Sequence, residues 1–262
     1  MIRHCENGIT FYEFETLSMD MQVAHAVFTR QGGQSQPPFD SLNVGHLLGD
    51  DPDSVQANHE LIFHALAISP QRVVTARQVH GAHVANVGSA EAGTVVPSTD
   101  GLVTAETGLY LMLRFADCLP VMLYDPARHT MALVHVGWRG LLAGVIHNTI
   151  RLMERELSTE PPNVLAGLGP AIGPCCYEVG PDVVRAIQRV FGSQYRLVLV
   201  SRDARVHFDL PTAARLQLQS EGVLHIESSG LCSSCHTDEF FSHRAENGRT
   251  GRFAVLLGLR PA

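Results

Sequence analysis

Three short apolar segments follow one another closely near the middle of the chain, at residues 109–115, 119–124 and 131–136. Each has the length of a buried β-strand and is far too short to cross a membrane. A glycine-containing turn at 137–140 (GWRG) follows the third segment and leads into an apolar pattern with helical spacing. This order predicts a sheet at the centre of the fold with helices packed against it.

The rest of the chain also alternates between strand-like and helix-like segments. Further strands are predicted at 23–29, at 72–87 with a break at Gly81, at 163–168 and at 253–259. Helices are predicted from Asp51, over 182–191 and from Asp209. The order predicts an α/β or α+β fold in which mixed β-sheets are sandwiched between flanking helices. With 262 residues and no internal repeat, the chain is expected to form one domain over 1–262.

The charge composition argues against several classes of partner. Only 17% of the residues are charged, so most of the chain should be packed rather than disordered. The net charge is −7 and no run of Lys or Arg occurs, which argues against a nucleic-acid or anionic-membrane surface. The first ten residues contain no apolar run of the kind found in signal peptides, so we expect a cytoplasmic protein with reduced cysteines.

His80, Cys118 and His135 are the main candidates for metal ligands and catalytic groups. They are separated by 38 and 17 residues, intervals too long for a zinc finger but suited to ligands from separate strands. Three protein ligands that leave a fourth position open form the arrangement of a catalytic zinc. Spacing alone, however, favours the alternative that each is a buried polar residue at a strand end.

A second group of cysteines offers a weaker signal. Cys232 and Cys235 form a C-x-x-C pair, but the other pair, Cys175 and Cys176, is adjacent rather than spaced as in a zinc ribbon. The C-x-x-C also lies near the C-terminus and not after the first strand of a βαβ unit, as a thioredoxin-like motif would. We therefore expect a packed turn, with redox sensitivity as the alternative.

A glycine-, serine- and proline-rich stretch at 30–49 is long for a connection and is predicted to be a binding loop. Four arginines lie beside Gly-rich or His-containing turns, where a guanidinium could hold a phosphate. They are Arg30, Arg77, Arg139 and Arg244. Arginines are common on protein surfaces, so this signal is weak by itself.

A set of motifs in one order is more specific. It comprises TRQGG, SLNVG, QVHG, DGLVT, ADCLPVMLYDP, ALVHVGWRG, GLGPAIGPCCYEVG, LCSSCHTDEFFSHR and GRFAVLLGL. Together these motifs resemble the laccase-domain family, also described as the polyphenol oxidase or purine nucleoside phosphorylase family. The resemblance extends from about residue 23 to residue 259, which is nearly the whole chain.

The resemblance implies both a fold and an activity. It implies sandwiched mixed sheets with helices outside, and a zinc site formed by His80, Cys118 and His135. It also implies phosphorolysis of adenosine, inosine and S-methyl-5'-thioadenosine, with deamination of adenosine as a second activity. The partners expected are therefore purine nucleosides and phosphate, with no nucleic acid or membrane, and the chain would be a monomer or a homodimer.

Phosphorolysis suggests roles for three further residues. Arg139 is a candidate for binding the phosphate, because its guanidinium can form two parallel hydrogen bonds to phosphate oxygens. Asp117 and Asn43 are candidates for assisting the departing base. All three are predicted to be substrate-binding residues.

Three alternatives stay open at this point. A copper-dependent polyphenol oxidase would use the same three ligands with Met112, Met122 or Met131 as an axial ligand, although the chain has no H-x-H motif of a multicopper cluster. A metal-free hydrolase would use Cys118 as nucleophile and His135 as base, for example to edit peptidoglycan precursors. A non-catalytic protein would bind a nucleoside or another metabolite without turnover.

Overall fold

Two mixed β-sheets stacked face to face form the centre of the molecule in the computed structural model, which describes residues 1–261. The first sheet has seven strands, in the spatial order β1 (Ile2–Glu6), β2 (Ile9–Glu13), β3 (Val23–Phe28), β15 (Phe253–Leu259), β8 (Tyr110–Phe115), β4 (Val73–Ala76) and β6 (Val95–Val96). The second has six, in the order β14 (His225–Ser228), β11 (Leu165–Leu168), β9 (Leu119–Asp125), β10 (Thr130–Val136), β7 (Gly101–Thr104) and β5 (Val84–Asn86). A separate hairpin joins β12 (Leu199–Arg202) to β13 (Arg205–Phe208).

Both large sheets contain parallel and antiparallel neighbours. β4 runs parallel to β6 and β8, while β5 is parallel to β7 and β11 is parallel to β14. β9 pairs antiparallel with β10 along the whole strand, with His135 opposite Pro120. This pairing brings the residue before β9 close to the end of β10, where two of the predicted ligands lie.

The alternation of side chains along β10 shows why its sequence is apolar over residues 131–134. Met131 and Leu133 face the first sheet and belong to the core between the two sheets. Ala132 and Val134 point to the opposite side and pack against helices. Because successive residues of a strand point to opposite faces, the part of a strand that is covered on both sides is expected to be apolar on both faces.

Six α-helices cover the outer faces of the two sheets in the described part of the chain. They are α1 (Pro52–Ala65), α2 (Trp138–Leu142), α3 (Val145–Leu157), α4 (Pro181–Phe191), α5 (Tyr195–Val198) and α6 (Leu210–Ser220). α1 packs Ile62 against Ala26 and Leu256 on the seven-stranded sheet. α3 and α6 pack on the six-stranded sheet through residues such as Ile150 and Ala214. The layers therefore run helix, sheet, sheet, helix.

This architecture confirms the predicted class of mixed sheets between flanking helices. Two helices also begin where the sequence indicated, because the carboxylate of Asp51 accepts from the Ser54 amide and that of Asp209 accepts from the Thr212 amide. Among residues 1–261, no helix is both long and apolar enough to cross a membrane. The extent of one domain over 1–262 stays a prediction.

The predicted strand over 72–87 is shorter in the structure. It consists of β4 and β5 separated by a loop over 77–83 that carries His80. The amide groups of Val79, His80 and Gly81 donate to the side chain of Asp100 and not to a neighbouring strand, so no sheet ladder forms there. The local apolar pattern could not show that these amides bind Asp100, because Asp100 lies about twenty residues further along the chain.

Candidate metal and active site

The structure brings His80, Cys118 and His135 together at one end of the two central sheets. One ligand atom of each residue lies within 4.8 Å of the others, close enough for all three to bind one metal ion. His135 is near the end of β10, Cys118 directly precedes β9, and His80 lies on the loop after β4. The two imidazole rings meet edge to face with centroids 4.8 Å apart. Three separate segments therefore supply the three side chains.

The backbone next to this trio leaves little room for a larger residue. A Cβ atom on Gly137 would lie 3.2 Å from the Cys118 sulfur and 3.2 Å from a carbon of the His80 ring. His80 itself has a φ of 60°, in the left-handed region that side chains other than glycine rarely adopt. The residues of QVHG and HVGWRG therefore fit together closely, with the imidazole of His80 beside the sulfur.

Asp100 fixes the position of two of the three residues. Its buried carboxylate lies 2.9 Å from Nδ1 of His135 and accepts the amides of Val79, His80 and Gly81 at 3.2, 2.9 and 2.8 Å. Burial alone would raise the pKa of Asp100, but the His135 hydrogen bond and the amide donors hold this pKa below its usual value. A carboxylate on one imidazole nitrogen is the usual second partner of a metal-binding histidine, and it leaves Nε2 free to bind a metal.

The charges of Cys118 and His135 stabilise each other. Burial raises the pKa of the Cys118 thiol, but the neighbouring His135 charge and hydrogen bonds from both histidines bring it down to about 6. For His135, burial lowers the pKa, while the Cys118 thiolate and Asp100 raise it to about 9. The thiolate form of Cys118 is therefore favoured near neutral pH, and a thiolate is the form that acts as a metal ligand or nucleophile.

A cavity of roughly 670 Å³ opens over the trio. Its charged lining is predominantly basic, with one carboxylate, Asp117, and five arginines: Arg77, Arg114, Arg139, Arg244 and Arg252. Trp138 and Tyr177 add aromatic surface to the wall. The cavity thus places a metal-ligand set, cationic groups and aromatic faces around one space, which suits an anionic and partly aromatic ligand.

The five arginines differ in how firmly they are held. Arg114, Arg244 and Arg252 donate to backbone carbonyls. Arg139 is exposed and stacks its guanidinium on Trp138, 4.5 Å from the ring centroid. Arg77 is exposed as well. Arg139 and Arg77 make no side-chain hydrogen bond to any group within residues 1–261, so their donors are available to a ligand.

Of the arginines singled out in the sequence, Arg30 is not at this cavity. Its guanidinium donates to the Asp40 carbonyl at 2.6 Å, pairs with Glu246 at 2.9 Å and lies over the Phe241 ring. Arg30 therefore joins its loop to the C-terminal segment. Arg77, Arg139 and Arg244 do line the cavity, and the structure adds Arg114 and Arg252, which were not among the arginines singled out as candidates.

Asp117 lines the cavity, but its carboxylate is engaged on both oxygens. Oδ1 accepts the hydroxyls of Ser233 and Ser242, each at 2.7 Å, and Oδ2 accepts the amide of Arg244 at 2.6 Å. Its carbonyl also accepts the Ile172 amide at 2.9 Å. Asp117 therefore joins three loops next to Cys118.

Asn43 is fully buried and is not among the residues that line the cavity. Its side-chain oxygen accepts the amides of Gly45 and Arg252, and its amide group donates to Asp50. Only the end of the predicted binding loop reaches the cavity, at Gly45, His46, Leu47 and Leu48. Asn43 orders this end of the loop without facing the cavity itself.

Comparison with known proteins identifies the relationship. The family model described as "Multi-copper polyphenol oxidoreductase laccase" matches residues 24–260. The chain belongs to this family. The resemblance predicted from the motifs is thus confirmed over almost the same range.

Relatives of the chain are named as purine nucleoside phosphorylases and not as oxidoreductases. The chain is 38% identical over 242 residues to "Purine nucleoside phosphorylase YlmD" of Geobacillus stearothermophilus, with 88% of each chain covered. It is 39% identical to "Purine nucleoside phosphorylase SCO2081" of Streptomyces coelicolor, covering 90% of this chain and 96% of the relative. "Purine nucleoside phosphorylase YfiH" of Escherichia coli is 36% identical, with 90% and 94% covered.

Solved structures of the family share the whole fold. Superposition on YlmD from Geobacillus stearothermophilus gives a TM-score of 0.92 with 35% identity and 99% of both chains covered. Neisseria meningitidis protein NMB0706 gives a TM-score of 0.85 with 32% identity, covering 97% of this chain and 100% of the other. The described fold is therefore the fold of this family from end to end.

The copper alternative offered three methionines as possible axial ligands, and the structure places none of them at the site. Met112, Met122 and Met131 are buried in the hydrophobic cores of the two sheets, and none lines the cavity. A histidine–cysteine–histidine set without such a ligand lacks the axial contact found in most blue-copper centres. The trio itself fits any thiophilic divalent metal.

Proposed function

We propose that this chain is a zinc-dependent purine nucleoside phosphorylase. The observation that carries the proposal is the combination, in one cavity, of a histidine–cysteine–histidine ligand set with unpaired arginines and aromatic side chains. The names of the relatives point to the same activity. The substrates proposed are adenosine, inosine and S-methyl-5'-thioadenosine, and deamination of adenosine is proposed as a second activity of the same site.

His80, Cys118 and His135 would hold the metal. One thiolate and two imidazoles are a donor set that suits Zn²⁺, and three protein ligands leave a position open toward the cavity. When bound, zinc would supply a Lewis-acidic charge next to the substrate. Asp100 keeps His135 in the orientation and the tautomer that present Nε2.

In the proposed phosphorolysis, a phosphate oxygen forms a bond to C1′ of the ribose while the bond from C1′ to the purine nitrogen breaks. The electron pair of the broken bond leaves with the base, which takes up a proton. Arg77 and Arg139 are the residues best placed to hold the phosphate, because they line the cavity and no group among residues 1–261 accepts from their guanidinium donors. Trp138 and Tyr177 offer flat surfaces on which the purine can stack.

Asp117 and Asn43 act in this proposal as positioning residues and not as proton donors to the base. Each already uses its side-chain oxygens to accept hydrogen bonds from neighbouring loops. Asp117 fixes the segment before Cys118, and Asn43 fixes Gly45 and Arg252 on the cavity wall.

One observation favours a second candidate function, a metal-free cysteine hydrolase. Cys118, His135 and Asp100 form a thiolate, imidazole and carboxylate series, in which the last two are joined at 2.9 Å. Such a series is the arrangement of a nucleophile with its base and an orienting group. A hydrolase that edits peptidoglycan precursors would use Cys118 to attack an amide carbonyl, with His135 protonating the leaving amine.

The first test separates these two functions. The protein is purified without a metal-binding tag, its zinc and copper are quantified, and adenosine is incubated with and without phosphate while adenine, inosine and ribose 1-phosphate are measured. Zinc in a ratio of about one or more per chain with phosphate-dependent release of adenine is the expected result. Release of adenine that survives complete removal of the metal, or that needs no phosphate, would overturn the phosphorylase proposal, whereas formation of inosine without phosphate is expected from the second activity.

A matched pair of variants sharpens the same test. Cys118→Ser removes the proposed metal ligand, whereas Cys5→Ser changes an exposed cysteine on β1, outside the cavity lining. Cys118→Ser should lose the phosphorolysis, and Cys5→Ser should keep it. Equal activity in both variants would contradict any role of Cys118 in the reaction.

A further inference from the structure

Four cysteines from two distant segments meet outside the site described above. Cys175 and Cys176 lie in the loop after β11, and Cys232 and Cys235 lie in the loop after β14. The four sulfur atoms all lie within 4.8 Å of one another. The Cys235 sulfur is 3.5 Å from that of Cys175 and 3.4 Å from that of Cys176.

These separations suit thiols around one metal ion. A disulfide would bring two sulfurs to about 2.0 Å, and all four cysteines are free. A tetrahedral zinc ion with bonds of about 2.3 Å to sulfur places its ligands about 3.8 Å apart, close to the observed distances. We propose that Cys175, Cys176, Cys232 and Cys235 form a structural Zn²⁺ site, separate from the His80–Cys118–His135 centre.

The backbone around Cys232 supports this proposal. The amides of Cys235 and His236 both donate to the Cys232 carbonyl at 3.1 Å, so the C-x-x-C segment is a closed turn with both sulfurs on one side. The Gly173 amide donates to the Cys232 sulfur at 3.2 Å. An amide donor of this kind stabilises a thiolate and reduces the charge that the metal must balance.

Gly173 lies where the two segments approach each other closely. A Cβ atom there would lie 3.3 Å from the Cys175 sulfur and 3.3 Å from Cβ of Cys232. Positive charge is close as well, because the guanidinium of Arg244 donates to the carbonyls of Cys176 and Glu178. Four sulfur ligands with no open position are typical of a structural and not a catalytic zinc.

The consequence of this site is to join two walls of the cavity. Ile172 and Tyr177, on either side of Cys175 and Cys176, line the cavity. Ser233, between Cys232 and Cys235, donates to Asp117. A zinc ion bound by the four cysteines would therefore fix both loops relative to Cys118. The site goes beyond the proposed function, since it needs no reaction at the His80–Cys118–His135 centre.

The experiment counts zinc after the first centre has been removed. Cys118→Ala protein, purified under reducing conditions without a metal-binding tag, should still hold about one zinc ion per chain. Adding Cys235→Ser to this background should remove that zinc, and Cys235→His in its place should restore it, because imidazole is also a zinc ligand. Adding Cys5→Ser, the matched control on β1, should leave the zinc content unchanged.

A second measurement needs no substitution among the four cysteines of the proposed site. Zinc-free Cys118→Ala protein is titrated with Co²⁺, and the proposal expects sulfur-to-cobalt charge-transfer absorption that saturates at about one equivalent. A Cys118→Ala protein that holds no zinc and shows no such absorption would overturn the proposal. So would a count of freshly purified thiols that shows these cysteines already joined as disulfides, since a disulfide offers no thiolate to the metal.

Discussion

Nδ1 of His135 lies 2.9 Å from Oδ1 of Asp100, and the same carboxylate holds the backbone of Val79, His80 and Gly81. One buried residue therefore orients two of the three proposed metal ligands. It acts through the imidazole of one histidine and the main chain of the other. Because both contacts depend on a charged acceptor, the site should be sensitive to the charge of Asp100 as well as to its shape.

We expect Asp100→Asn to weaken zinc binding by about 10- to 100-fold, the usual cost of losing an outer partner of a histidine ligand. The amide that replaces the carboxylate offers one acceptor fewer to the three amides and the imidazole. The measurement is competition for zinc with a chelator of known affinity, together with kcat/KM for adenosine. Asp53→Asn, an exposed carboxylate at the start of α1, is the control and should behave as wild type. Unchanged zinc affinity in Asp100→Asn would show that the contact with His135 does not support the metal.

Arg139→Ala should raise the KM for phosphate by about 10-fold or more, because a hydrogen bond to a charged group contributes about 1.5–3 kcal/mol. Arg139→Lys keeps the charge but not the paired donors, so it should recover only part of the loss. Initial rates at several phosphate concentrations measure the effect. Arg155→Ala removes an exposed arginine of α3 that does not line the cavity, and its KM should not change. A KM for phosphate that is the same in Arg139→Ala and wild type would remove Arg139 from the phosphate site.

Part of the fold and of the site could be predicted from local sequence. The strands β8, β9 and β10 correspond to largely apolar segments with clear ends, and α1 and α6 begin at an acidic cap close to a proline. The three proposed ligands stand in separate motifs, and it was the resemblance carried by the whole set of motifs, not the spacing of the three residues, that favoured a metal site. Such features depend on residues within a few positions of one another, so a single sequence displays them directly.

Other features depend on contacts between distant segments and could not be predicted. Asp100 stands in the motif DGLVT like any acidic residue before a strand, and its role follows from a loop twenty residues away. The two cysteine pairs meet because Ala171 forms a β-bridge with Cys232 across the ends of two parallel strands. Their spacing in the sequence favoured a packed turn, because Cys175 and Cys176 are adjacent and do not have the spacing of a second C-x-x-C pair.

Stability should decrease as the pH falls below about 6.5, partly because His25 is buried without charge. Burial lowers the pKa of His25 to about 4 in the folded protein, whereas an unfolded histidine has a value near 6.5. The unfolded chain therefore binds the proton more readily, and the contribution of His25 is complete above pH 6.5 and is lost between pH 6.5 and 4. At pH 5 the expected loss is about 2 kcal/mol relative to pH 7.5.

Urea unfolding of wild type and His25→Gln at pH 7.5 and pH 5 measures this effect. The uncharged variant should be less stable at pH 7.5, because Nε2 of His25 accepts the Phe14 amide at 2.8 Å, but it should lose less stability on acidification. His59, whose pKa burial also lowers to about 4, remains in both proteins and contributes equally to each. An identical pH dependence in the two proteins would contradict the assignment to His25.

Substitution of Gly167 tests how tightly Phe14 packs against strand β11 of the six-stranded sheet. A Cβ atom at this position of β11 would lie 2.6 Å from a carbon of the Phe14 ring, and the ring cannot move away because Phe14 is fully buried. Gly167→Ala should therefore reduce the free energy of unfolding by about 1–3 kcal/mol, the usual cost of overfilling a packed core.

Gly180→Ala is the matched control, since Gly180 has a negative φ and no atom within 4 Å of the added carbon. If both substitutions change the free energy of unfolding equally, the contact between Phe14 and β11 is not tight in solution. A loss confined to Gly167→Ala would show that the N-terminal segment packs on this sheet as described.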